Sequence, residues 1–147
     1  MDLEKLQLQA DSYLKINDTS GDGYIGLKFY DSSNTLITGS EYDLSGLELK
    51  SETSYDSSWR TENTTQIAPI MTGGNPSTGG GALVRIFNAD DSSSFTFVTA
   101  QSSMTNSSKL RGTKTIGVHH TAEQITGVRF AGVSHTYDTT ATIYGVR

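Results

Sequence analysis

Cysteine is absent from the 147-residue chain, proline occurs twice and tryptophan once. Without thiols there are no disulfides, no Cys-based zinc sites and no thiol nucleophile, and compartment is left open. No apolar run approaches the roughly 18 residues of a membrane helix, so none is expected. Charge is sparse, at 18% of residues, with a net charge of −5. The eleven basic residues are scattered, whereas phosphate binding needs clustered Lys or Arg, so no nucleic-acid partner is expected. Met1 leads into Asp2, Glu4 and Lys5, which does not read as a signal peptide. A soluble protein made in the cytoplasm is the expectation.

What is abundant is Ser, Thr, Gly, Asn and Asp, with seven Tyr and five Phe. This mixture suits short strands joined by polar turns. The length fits one domain with a real core. Residues 1–10 form an ambiguous N-terminal arm: Leu3 and Leu6 fit a helical turn, while Leu6, Leu8 and Ala10 alternate. From residue 11 to 147 the pattern is that of a single β-domain.

Period-two patterning begins at Leu14 and Ile16. Ile25, Leu27 and Phe29 then point one way, and Tyr24, Gly26, Lys28 and Tyr30 the other. A turn at residues 31–34 predicts an antiparallel return over 35–38. Leu47 and Leu49 mark another short strand, and residues 55–65 are polar around Trp59. Residues 66–71 read as a strand that Pro69 confines to an edge or a bulge. Residues 72–81 hold five glycines and Pro76, a loop. Strands follow at 82–87, around Phe95, Phe97 and Thr99, and around Ile116 and Val118. Two alternating segments close the chain, and the last is expected inside a sheet. Nine or ten strands at this spacing predict an all-β, antiparallel β-sandwich of jelly-roll type, with no long helix.

Catalytic signals are weak. The loop from Asp18 to Asp22 meets the first demands of a calcium loop, but its twelfth position is Phe29 and no helices flank it. It reads as a turn. His119 and His120 are adjacent and face opposite sides of a strand, so they cannot share one metal; surface or interface histidine is the expectation for these and for His135. No serine stands in a nucleophile elbow, Asp90 and Asp91 fall at a turn, and the glycine loop lacks the Lys of a phosphate loop. The expectation is a non-enzyme with no cofactor and no metal. Tyr24, Tyr30, Tyr42, Tyr55 and Trp59 are candidates for stacking on a sugar or a partner protein.

Taken in order, five segments resemble a family of tailed-bacteriophage virion proteins. They are Ser12-Tyr13-Leu14-Lys15-Ile16-Asn17, Tyr24 to Ser32 followed by Tyr42-Asp43, Gly81 to Asn88, Gln124 to Phe130, and Ile143-Tyr144-Gly145-Val146. The resemblance covers most of the chain after residue 11. The sequence departs from the family where Ala89, not Pro, follows Asn88, in its glycine-rich insert and in the His119-His120 pair. The resemblance implies a β-sandwich and a structural role in the virion, with no catalytic residues to transfer.

The expected function is therefore a capsid cement or decoration protein on the outer surface of the head. Its partners would be the major capsid protein and, as a homotrimer, itself. Contacts are expected from Leu3 and Leu6 of the arm and from the Tyr24/Tyr30 face. The alternative is a tail or fibre module that binds a host-surface glycan, with Trp59 as its platform.

Overall fold

The computed structural model of the protein describes residues 6–7, 11–18, 23–51, 58–72, 79–106, 109–132 and 139–146. The described chain is all strand and connection, with no helix. Its strands are β1 (Leu6–Gln7), β2 (Asp11–Asp18), β3 (Tyr24–Tyr30), β4 (Tyr42–Lys50), β5 (Ser58–Thr64), β6 (Ile67–Thr72), β7 (Gly80–Phe87), β8 (Thr96–Asn106), β9 (Lys109–His119), β10 (Gly127–Gly132) and β11 (Thr139–Val146).

They form two antiparallel sheets, a four-stranded one ordered β1-β10-β3-β6 and a seven-stranded one ordered β11-β2-β7-β8-β9-β4-β5. The sheets pack face to face around one apolar core. Ile25, Leu27 and Phe29 of β3, with Val128 and Phe130 of β10, face Val84, Ile86, Val98 and Leu44 of the larger sheet. β6 packs against β4, β7, β8 and β9 and carries Ile67, Ile70 and Met71 into the same core.

The closing half of the core is small and hydroxylic. Inward positions of β8 and β9 include Ala100, Ser102, Thr113, Thr115 and Gly117, so the backbone of β6 comes close. Thr113 Oγ1 donates to the Ile70 carbonyl at 3.1 Å and Thr115 Oγ1 to that of Pro69 at 2.6 Å. Because the Thr113 proton is committed to Ile70, the 2.6 Å contact with Ser102 is donated by Ser102. The buried hydroxyls of Ser102, Thr113 and Thr115 are tolerated because each of the three has a partner. They hydrogen-bond the two sheets together, which is how a chain with 34% hydrophobic residues closes an interior.

Several expectations hold. Ile25, Leu27 and Phe29 are buried and Tyr24 is exposed, so β3 has the faces its alternation predicts. Pro69 lies on β6, an edge strand whose pairing with β3 shifts register between Ile25 and Leu27. The return over residues 35–38 is antiparallel, reduced to a single bridge of Leu36 to Tyr30, with the Ile37 N–H donating to Phe29 O and the Asp31 N–H to Thr35 O. Asp31 shapes the turn before it, its carboxylate and carbonyl taking the N–H groups of Thr35 and Asn34. Others are corrected. The polar stretch around Trp59 is strand β5, which can be polar because it is an edge. Among the described residues the closing strand β11 pairs only with β2 and is the opposite edge, not an interior strand.

Candidate functional site

The outer face of the seven-stranded sheet is built by the same pleat that builds the core. On β4, β7, β8 and β9 every second residue turns away from the smaller sheet. Register then aligns them in rows across the strands. Asp43, Val118, Phe97 and Phe87 form one row, Ser45, Ile116, Thr99 and Arg85 the next, and Leu47, Lys114, Gln101 and Leu83 a third.

These rows carry large apolar side chains in the open. Ile116 is 61% exposed, Leu47 54%, Phe97 46% and Leu83 42%. A groove of about 800 Å³ runs between Phe87, Phe97 and Ile116 on one side and Arg60, Glu62 and Asp43 on the other. A second recess of about 580 Å³ lies beside it over Leu47, Leu83, Arg85 and Lys114, and both share Ile116. Isolated surface Leu or Ile needs no explanation, but a contiguous apolar patch rimmed by polar residues marks an interaction surface. The rim carries both signs of charge. Asp43 is held in place, its carboxylate taking the Asn63 N–H at 2.8 Å and lying 3.4 Å from His120 Nδ1.

The residues singled out in the sequence are dispersed rather than gathered. Tyr24 and Tyr30 lie on β3 of the four-stranded sheet, Tyr24 exposed and Tyr30 half-buried. Trp59 is half-buried on β5 opposite Gly46, leaning on that glycine and against the core. Its ring is thus occupied within the fold. Leu6 belongs to β1, which pairs with β10, so part of the expected arm is sheet edge. Leu3, Tyr55, His135 and the residues after Asp18 up to Asp22 lie outside the described residues. Tyr42 is a correction: it is fully buried, not a stacking platform, and its hydroxyl accepts the Phe29 N–H at 3.0 Å. Burial pushes that hydroxyl's pKa above its ordinary value, against the Phe29 bond, with nearby Glu41 and Glu123 adding to the rise.

His119 is a second correction. Its side chain is wholly buried rather than at a surface, because β9 turns it inward beside Tyr42. His120 does face the other way, toward Asp43. Burial raises the pKa of Glu123 near His119; the imidazole opposes the rise, and Glu41 and Asp31 add to it.

Sequence reasoning located the strands of the outer face but not the face itself. The alternations of Phe95 with Phe97, Ile116 with Val118 and Leu47 with Leu49 were the available signal, and alternation does not say which side is covered. No family model, curated protein or solved structure matches the chain.

Proposed function

We propose that the protein is a non-catalytic structural component that works by protein–protein contact through the outer face of its seven-stranded sheet. With the resemblance of its strand motifs, this reading is a virion protein of a tailed bacteriophage: a capsid cement protein on the head, seated on the major capsid protein. The jelly-roll form of the sandwich belongs to the same proposal. The observation that carries it is that Ile116, Phe97, Leu47 and Leu83 share one outer face, spread over three neighbouring rows, each about half exposed.

Magnitudes favour an oligomer. Covering the open half of four such side chains contributes roughly 3–6 kcal/mol, against an association cost of about 4–15 kcal/mol. One face alone is marginal. Linked copies bind through effective concentration instead, which supports an oligomer, here taken as the expected homotrimer. The Leu3/Leu6 arm and the Tyr24/Tyr30 face are further contacts in this scheme.

Immunogold labelling of purified particles tests the location, and label over the head is the expected result. Particles lacking the protein, refilled with Phe97→Asp and Ile116→Asp variants, test the surface: wild type should bind and the variants should not. Equal binding by all three would remove the outer face from the proposal. The alternative glycan-binding role in a tail or fibre is supported by the groove, where Phe87 and Phe97 face Asp43, Arg60 and Glu62. Label confined to the tail, with glycan binding lost in Phe97→Ala, would favour it.

A further inference from the structure

Away from the outer face, three chemistry-bearing side chains converge at one end of the core. Glu41 directly precedes β4, His119 ends β9, and Glu123 stands in the segment that leads from β9 to β10 of the other sheet. Pairing of Tyr42 with His119 brings the first two together, and the His120 N–H donates to the Glu41 carbonyl at 2.9 Å, which fixes the Glu41 backbone beside β9.

The His119 ring is enclosed by aromatics, with the Tyr42 and Phe29 centroids at 5.2 and 6.2 Å. Its Nδ1 is buried and has no hydrogen-bond partner among the described residues. All the polar chemistry of this wholly buried ring therefore passes through Nε2, which is aimed at two carboxylates. Nε2 lies 3.0 Å from Glu41 Oε2 and 3.4 Å from Glu123 Oε1. One ligand atom from each residue can be chosen so that all three lie within 4.8 Å of one another. A tetrahedral ion with bonds of about 2.0–2.1 Å separates its ligands by roughly 3.3 Å, and the two observed nitrogen–oxygen separations bracket that value.

Charge argues the same way. Two carboxylates face one imidazole, which supplies at most a single positive charge, while Asp31 adds to the negative field at Glu123. A divalent ion balances both carboxylates and leaves the imidazole neutral. An imidazole ligand selects a transition ion over calcium or magnesium. The carboxylates keep 39% and 29% of their side chains exposed, so an ion can enter and water can complete its shell.

We propose that Glu41, His119 and Glu123 bind one divalent transition-metal ion of the zinc class. Because Glu123 lies on the passage between the two sheets, the ion clamps that passage to β4 and β9 and stabilises the fold.

Calorimetric titration of the full-length, chelator-stripped protein with zinc chloride tests this, beside thermal denaturation with and without zinc. One equivalent of zinc should bind and raise the Tm. A Glu41→Gln/Glu123→Gln variant keeps the side-chain shapes and should lose affinity by more than the roughly 10–100-fold that loss of a supporting group costs. A His120→Ala/His135→Ala variant should bind as wild type does. Wild-type-like binding by the glutamine variant, or no uptake by the wild type with zinc in excess, overturns the proposal. Should the glutamine variant not fold, nitrogen NMR of the wild-type imidazoles decides: zinc must shift His119 Nε2, and an unmoved resonance refutes the site.

Discussion

Ile67 of β6 lies directly over Gly117 of β9: a Cβ at position 117 would stand 2.8 Å from both Ile67 Cγ2 and Cδ1. The four-stranded sheet settles on the larger one at this point, and its closeness sets what the inner positions can hold. With Thr113, Thr115 and Gly117 inside, the bulky residues of the same strand, Ile116 and Val118, stand on the other face.

Gly117→Ala should therefore lose stability. Cγ2 of Ile67 is fixed by its β-branch and cannot swing aside, so the sheets must part slightly. Urea denaturation should show a loss of about 1–3 kcal/mol, the usual cost of overpacking. An unchanged midpoint would mean that the two sheets are not pressed together here.

Thr115→Val keeps the shape but leaves the Pro69 carbonyl without the hydroxyl that reaches it at 2.6 Å. The expected loss is about 1–3 kcal/mol, set by the stranded acceptor rather than by packing. Thr99→Val on the outer face of the neighbouring strand, where the side chain is exposed, should change stability little. The difference between the two, measured by denaturation, isolates the buried bond.

Ile116→Thr removes apolar surface from the outer face while keeping a β-branched residue on the strand. At 61% exposure, its effect on stability should stay within about 0.5 kcal/mol. Self-association, read by light scattering, should fall. A large stability loss with unchanged association would place Ile116 in the core and contradict the exposed outer face.

Asp91 provides the pH dependence. Its carboxylate takes the Ser93 and Ser94 hydroxyls at 2.6 and 2.7 Å and the Ser93 N–H at 2.8 Å, which lower its pKa from 3.8 to about 2. A depressed folded pKa means that its stabilisation is present above the unfolded value. It is lost as pH falls from about 4 through about 2. Carboxylate NMR should find Asp91 still ionised at pH 3, and Ser93→Ala should raise its pKa toward the ordinary range.

Much of the candidate docking face was legible as strands. Phe97, Ile116 and Leu47 each sit in a period-two pattern that places a strand correctly. The pattern is silent on which side is buried, because here both sides alternate: Val98 and Ala100 are inside while Phe97 and Thr99 are outside. The His119 cluster was less legible. Glu41 and Glu123 are 78 and 4 residues from His119, and no local spacing links the first to the others before β4 and β9 pair.

By itself, the sequence settled the all-β class and the faces of β3, and confined the proline strand to an edge or a bulge. Those follow from local terms: side-chain alternation along an extended chain, and the missing N–H of proline. Only the tertiary structure decided that β11 is an edge, that β5 is a strand, that Tyr42 and His119 are interior, and that Ile116 and Phe97 are not. Burial depends on which second sheet approaches which face, and that is fixed by long-range contacts such as Ile67 over Gly117.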